Sequence, residues 1–327
     1  MFYSSEKECA VTAVIRAAGL CSRVQAALTS DDSIQKEDRS PVTIADFGAQ
    51  AVVNHALMAA FPDDPVVGEE DAATLREPES EQLLQKVLDQ YMQEVPGGTR
   101  EKLLAAIDHG NASPNPAGRF WTLDPIDGTK GFLRGDQYAI ALGLIENGTV
   151  VLGILGCPNL PENAVEPEGK KGCIFVAIRG QGTVMRTLDS PEETPVHVDS
   201  IADSAQAVFC ESVESAHTSH GRSAQVGEIL GVTAEPFRID SQCKYAAVAR
   251  GDASIYMRLP SKKGYQEKIW DHAGGSIVVE EAGGTVSDAN GKALDFSQGT
   301  TLAKNAGIIA TNGSLHTCVL TALNKTE

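Results

Sequence analysis

The chain reads as an α/β protein in which an α+β half is followed by an α/β half. Three observations predict this: amphipathic helices open the chain, two hairpin patterns occupy its middle, and strands alternate with helices beyond residue 200. At 327 residues it lies at the upper edge of what one hydrophobic core supports, so two packed subdomains are expected. The stretch DSPEETPVHVDS (189–200), rich in proline and acid, reads as the seam, dividing residues 1–200 from 201–327.

The elements follow in order. Ser5-x-x-Glu8 forms a capping box, with Val11, Val14, Ile15 and Ala18 behind it at helical spacing. A charged loop, TSDDSIQKEDRS, leads to Pro41, and Thr43-x-x-Asp46 is a second capping box. It opens a helix whose Val53, Ala56, Leu57 and Ala60 share a face. FPDDP is a turn, and VVGEED is a short strand ending in acid. Amphipathic segments near 80–93 (Leu84, Val87, Leu88, Tyr91) and 99–109, the latter closed by Gly110, complete the helical part. YAIALGLIE and TVVLGILG flank Asn147-Gly148, a strong hairpin signal, and CIFVAI and TVMR turn at RGQG. A later helix is expected from His272 to about Ala282, ended by Gly283-Gly284, with Asp271 as its cap.

Composition narrows the function classes. With 27 basic and 44 acidic side chains the net charge is −17, which argues against a nucleic-acid polymer as partner. The same charge suits a protein that gathers divalent cations, although solubility alone would explain it. No apolar run approaches the roughly 20 residues of a membrane helix. MFYSSEKECA lacks the basic and apolar regions of a secretory signal and an Arg- and Ser-rich transit segment, so a cytoplasmic protein is expected, or an organellar one had a transit segment been removed. Seven scattered cysteines without a CxxC pair read as free thiols of a reducing compartment.

The most informative stretch is FWTLDPIDGTKGFLRG (120–135), where Asp124 and Asp127 share one tight turn at the end of an apolar strand. Asp-Pro and Asp-Gly are ordinary turn dipeptides, so this stretch alone leaves a turn and a functional site evenly matched. Further acids lie at element ends. Glu69 follows Gly68 in VVGEED, Asp46 occupies the third position of a capped helix, and Asp271 precedes a helix. Each has a bland explanation, as a solvated acid or as a helix-end charge. Together they match the oxygen ligands that a hard cation such as magnesium takes from a few carboxylates and a phosphate. No His or Cys cluster offers a site for a softer metal.

DPIDGTKGFLRGDQYA, VVGEED, SPVTIADFGAQ, IDSQCKY, YMRLP and YQEKIWDHAGG resemble the 3′(2′),5′-bisphosphate nucleotidases. These form a branch of the lithium-sensitive, magnesium-dependent phosphatases that include inositol monophosphatase. The resemblance runs from about Glu6 to Ile309; DPIDGT is specific to the superfamily and KGFLRGDQYA to the nucleotidase branch.

What the resemblance implies is concrete. The fold would be a layered αβαβα sandwich of the sugar/inositol phosphatase type. Two to three magnesium ions would be held by Glu69, Asp124, the Ile126 carbonyl, Asp127 and Asp271. Asp46 and Thr129 would activate the attacking water. Ser241, Lys244, Arg258 and His217 would bind substrate, with His220 a second candidate beside His217. The reaction would be hydrolysis of the 3′-phosphate of adenosine 3′,5′-bisphosphate, with the sulfated nucleotide as a further substrate, by a monomer. An inositol polyphosphate 1-phosphatase would share every cation ligand. A catalytically silent sensor of nucleotide and metal would be expected to have lost an acid or the threonine, and the full set is present. Cys243 stands where relatives carry a small non-thiol residue, which implies a site sensitive to thiol reagents.

Overall fold

The computed structural model describes residues 2–27, 33–35, 41–213, 220–260 and 264–326, with the backbone alone considered at 33–35, 41–43 and 220. Helix α1 (Ser4–Ala27) is followed by the paired strands β1 (Ser33–Gln35) and β2 (Pro41–Thr43) and by α2 (Ile44–Ala60). Strand β3 (Val66–Gly68), α3 (Glu81–Glu94) and α4 (Arg100–Asp108) lead to β4 (Arg119–Asp127) and the short α5 (Thr129–Arg134). The β-rich middle holds β5 (Ala139–Glu146), β6 (Thr149–Pro161), β7 (Lys171–Ile178), β8 (Gly182–Thr187) and β9 (Thr194–Val196). Beyond it come β10 (Phe209–Glu211), α6 (His220–Leu230), β11 (Phe237–Arg238), α7 (Cys243–Ala249), β12 (Ile255–Arg258), α8 (Ala273–Glu281), β13 (Thr285–Ser287), β14 (Ile308–Thr311) and α9 (His316–Leu323).

Strands β3 to β9 form a seven-stranded sheet in sequence order, antiparallel throughout except that β3 runs parallel to β4. A second, mixed sheet runs β11-β10-β12-β14-β13. Residue alternation sorts the side chains into three cores. Trp121, Leu123, Ile140, Leu142, Ile154 and Val176 face α1 to α4. Phe120, Ala141, Leu155 and Phe175, on the opposite face, meet α7 and α8, which also cover Cys210, Tyr256 and Ala310 of the second sheet. The far face of that sheet, with Ile255, Met257 and Ile309, packs on α6 and α9. The result is five layers, αβαβα, with strands β5 to β7 buried on both sides, which is why they read as nearly unbroken apolar runs.

The Asn147-Gly148 turn has φ of 51° and 75° and joins Glu146 to Thr149, the geometry expected of that dipeptide. Thr99 caps α4 by accepting the Lys102 N–H at 3.3 Å. Two caps differ from expectation. Ser5 lies inside α1, which begins at Ser4 and whose Lys7 N–H reaches the Tyr3 carbonyl, so the box at Ser5 is not the helix start. Asp271 stands two residues before α8, whose capping position is His272. Its carboxylate is turned to other partners.

Candidate active site

A cleft of about 480 Å³ opens where the ends of β3, β4 and β12 meet the starts of α5, α7 and α8. Its walls include Glu69, Asp124, Ile126, Asp127, Thr129, Ser241, Lys244, Arg258 and Asp271. Eight of these nine lie within two residues of an element's end, where side chains readily face a cleft.

The two aspartates converge because the strand is irregular. Asp124 pairs with Ala141 and Asp127 with Ala139, so three steps on β4 match two on β5. In a regular strand residues three apart point to opposite faces; the extra residue returns both carboxylates to one face. Their oxygens and one of Asp271 all lie within 4.8 Å of one another. Asp124 also accepts the Ile126 N–H at 3.1 Å, and the Thr129 hydroxyl donates to the Ile126 carbonyl at 3.2 Å. Gly128 turns the chain between them with φ of 87°, and a Cβ there would stand 2.8 Å from Ser241 Cβ. Only glycine fits this turn without displacing Ser241.

Glu69 is set by the sheet, its N–H donating to the Leu123 carbonyl, and by Gln50 of α2. Gln50 accepts the Glu70 N–H and donates to the Glu70 and Ile107 carbonyls, fixing the acidic loop from below. Gln242 plays the matching part on the other wall. Its N–H donates to Asp127, its side chain donates to the Trp270 carbonyl at 2.9 Å, and it accepts the Gly275 N–H at 3.0 Å. Neither glutamine was picked out from the sequence. The only signal each gives is a polar side chain placed among residues that must face a core.

Burial and mutual repulsion dominate the electrostatics. Desolvation, then Glu69, Asp127, Asp271 and Asp46, push the Asp124 carboxyl well above the usual range. Asp127 is pushed up to about 7 by burial and by Asp271, against the pull of Lys244, Arg258 and the Gln242 N–H. Four or five clustered acids favour a bound cation strongly, and an all-oxygen donor set suits a hard one. Asp46 is buried in the first turn of α2 and lies behind the cleft rather than on its lining.

The cations are more engaged than the sequence suggests. Lys244 is buried, its ammonium 5.4 Å from the Tyr256 ring centre, and burial lowers its pKa against the attraction of Asp127. Arg258 pairs with Glu267 at 2.9 Å and with Asp271 at 3.1 Å. Burial works against its charge, and these two carboxylates outweigh it. Ser241 takes φ of 66°, and its hydroxyl accepts the Cys243 N–H at 3.2 Å. His217 lies outside the described residues, and the His220 side chain is not described although its backbone opens α6. Cys243 is fully buried, donating to the Tyr138 carbonyl at 3.3 Å, so it is shielded rather than open to thiol reagents. All seven cysteines are free.

Protons and a divalent cation compete for these oxygens. A carboxyl whose folded-state pKa is raised stabilises the cation-free fold below the ordinary range near 4, and that stability is lost as pH rises through about 7. The gain in melting temperature when magnesium is added to EDTA-treated protein should therefore be small near about pH 5 and grow as pH passes 7. A gain independent of pH would remove these carboxylates from cation binding.

Comparison with known proteins places the chain. The model of the inositol monophosphatase family matches residues 4–327. A 3′(2′),5′-bisphosphate nucleotidase of Schizosaccharomyces pombe is 46% identical, over 95% of this chain and 92% of the relative. One from Emericella nidulans is 44% identical over 99% of both, and 3′(2′),5′-bisphosphate nucleotidase 1 of Arabidopsis thaliana is 48% identical over 86% of this chain and 85% of its own. Among solved structures, an IMPase from Thermotoga maritima superposes with a TM-score of 0.66 at 20% identity, covering 98% of this chain and 97% of the other. The extragenic suppressor protein suhB of Bartonella henselae gives 0.67 at 20% identity, covering 98% and 99%. These two likenesses carry the fold.

Proposed function

The chain belongs to the inositol monophosphatase family, and we propose that it is a magnesium-dependent phosphatase that converts adenosine 3′,5′-bisphosphate to AMP and phosphate. One observation supports this reading above the others. Asp124, Asp127 and Asp271 bring oxygens within 4.8 Å of one another in a cleft that also holds Thr129, Lys244 and Arg258. The sulfated nucleotide, which differs only by a group on the 5′-phosphate, is read as a second substrate. Residues 1–200 are read as the cation-binding half and 201–327 as the nucleotide half, with Asp271 reaching back across the seam. A cytoplasmic monomer completes the reading; none of the described helices is long and apolar enough to cross a membrane.

Magnesium would be held by Glu69, Asp124, the Ile126 carbonyl, Asp127 and Asp271; when bound it lowers the pKa of a water molecule and offsets charge on phosphate oxygens. The residues do the rest. Thr129 orients the attacking water, its own proton committed to the Ile126 carbonyl so that a lone pair is left to receive the water's hydrogen bond. The released proton reaches Asp46, buried behind Asp124 and electrostatically linked to it, through that hydroxyl: Thr129 Oγ1 takes the water's proton as its own hydrogen turns from the Ile126 carbonyl to the Asp46 carboxylate. Lys244 and the outer edge of Arg258 attract the anionic substrate against the repulsion of a chain of net charge −17. Ser241 holds a strained turn beside Gly128 and offers its hydroxyl to the nucleotide.

Initial rates with adenosine 3′,5′-bisphosphate and with inositol 1,4-bisphosphate test the assignment. The nucleotide should be the better substrate, and EDTA should abolish turnover. A preference for the inositol phosphate would move the chain to the 1-phosphatase branch, and no turnover of either would make it a sensor. Lithium chloride should inhibit where potassium chloride at equal ionic strength does not, since a small cation can enter among the carboxylates of Asp124, Asp127 and Asp271. Equal responses to the two salts would withdraw lithium sensitivity.

A further inference from the structure

Behind the cleft lies a chain of buried polar side chains that the reaction does not use directly. The Tyr245 hydroxyl stands 2.8 Å from His272 Nδ1, and His272 Nε2 stands 3.1 Å from Glu267 Oε2. The same Glu267 oxygen lies 2.9 Å from Arg258 Nε, and Arg258 Nη2 lies 3.1 Å from Asp271 Oδ2. Tyr245, His272 and Glu267 are all buried.

Such an arrangement is expensive. Placing a carboxylate in the interior requires partners for its oxygens, yet among the described residues Glu267 Oε1 is buried without a hydrogen-bond partner. A buried ion pair of this kind adds little net stability compared with an apolar replacement. Its position explains it better. Arg258 is a full positive charge beside Asp271, one of the three carboxylates that converge in the cleft. A guanidinium wholly committed to Asp271 would compete with a divalent cation for the same charge. Glu267 draws on that charge through the neighbouring Nε, and Tyr245 and His272 hold Glu267 in place.

We propose that Glu267 is a positioning residue for the cation site: by sharing Arg258 it leaves Asp271 available to a divalent ion while keeping the arginine at the edge of the cleft. The inference rests on the reading of Asp124, Asp127 and Asp271 as cation ligands. Glu267→Gln keeps the shape but leaves Arg258 to Asp271 alone, so magnesium binding should weaken by about tenfold, the scale of groups that support metal ligands. Arg258→Gln in the same chain removes the competitor and should restore affinity to within about threefold of wild type, by the same electrostatic balance.

The measurement is calorimetric titration of magnesium into EDTA-stripped protein without substrate, with melting temperatures recorded for each variant. Damage to folding would not be repaired by a second substitution, so the recovery in Glu267→Gln/Arg258→Gln separates positioning from scaffolding. If Glu267→Gln does not fold, Arg258→Gln alone reads the same coupling, since it should tighten magnesium binding by a few fold. Unchanged affinity in Glu267→Gln, no recovery in the double variant, or no tightening in Arg258→Gln would each overturn the proposal while wild-type binding and turnover stand. Wild type that hydrolyses the nucleotide but binds no magnesium would overturn it together with the ligand assignment. Failure to hydrolyse the nucleotide, with the magnesium shifts as expected, would leave this proposal supported and the substrate reading refuted.

Discussion

Asp124→Asn should lower kcat by on the order of 10³-fold and at the same time raise the melting temperature of the cation-free protein at alkaline pH. The two effects have one cause. Asp124 is buried, and Glu69, Asp127, Asp271 and Asp46 all repel its ionised form. Asparagine has nearly the shape of the protonated acid and can still accept the Ile126 N–H that now reaches Asp124 Oδ1. It therefore removes the cost of ionising a buried, repelled carboxylate while deleting the charge that would hold a cation.

The sign with pH follows. Because the folded-state pKa of Asp124 is raised, wild type loses stability as pH rises through it, while asparagine does not titrate. The variant's advantage should be absent in acid, where Asp124 is protonated, and should widen toward alkaline pH, reaching on the order of 2 °C. Saturating magnesium should reverse the order, since only wild type gains fully from the ion. Melting curves at several pH values with EDTA and with magnesium check this. A variant less stable than wild type without cation at every pH would show that Asp124 is a structural carboxylate rather than a strained ligand.

Most of the architecture was legible in the residues because burial on both faces leaves a strong trace. Strands β5 to β7 of the seven-stranded sheet are nearly unbroken apolar runs between turn residues, and Asn147-Gly148 fixes its register locally. Helices α5 and α7 leave a weaker one. They are six and seven residues long, α5 contains Gly131, and α7 is buried all round and so has no polar face to set a period. The five-layer order came from the resemblance, since periodicity cannot say which faces stack.

At the site, the residue types were readable and their pairings were not. The bulge that turns Asp124 and Asp127 to one face depends on how β5 lies against β4, which DPIDGT does not contain. Arg258 is assigned to substrate by the resemblance; the structure adds its pairing with Glu267 and Asp271, which the segment following β12 folds back onto it. Asp271 read as a helix cap because acids favour helix starts, yet the nearer charge of Arg258 claims it. Cys243 implies sensitivity to thiol reagents because it stands where relatives carry a small non-thiol residue, whereas the helix that carries it is buried along its whole length. What the residues alone do not contain is the pairing: β5 for the two aspartates and Arg258 for Asp271.

Thr129→Val should lower kcat by about 10²-fold, with the KM for adenosine 3′,5′-bisphosphate little changed. Valine keeps the branched shape at the first residue of α5, so the turn through Gly128 and the packing beneath it persist. What it removes is a hydroxyl whose proton goes to the Ile126 carbonyl at 3.2 Å and whose lone pairs are left for a water in the cleft. The loss therefore falls on orientation of the nucleophile and not on the groups that attract the phosphates. Thr129→Ser, which retains the hydroxyl but not the methyl, should recover turnover to within about tenfold of wild type. The Ile126 carbonyl loses its hydrogen bond in the valine variant, so a change in cation affinity must be separated from a change in chemistry. Turnover is accordingly measured at saturating magnesium, with the half-activating concentration taken from the same series. Full recovery of valine-variant turnover at high magnesium would make Thr129 a support for the Ile126 carbonyl, with no part in activating water. A kcat that stays about 10²-fold low at every magnesium concentration assigns it to the chemical step.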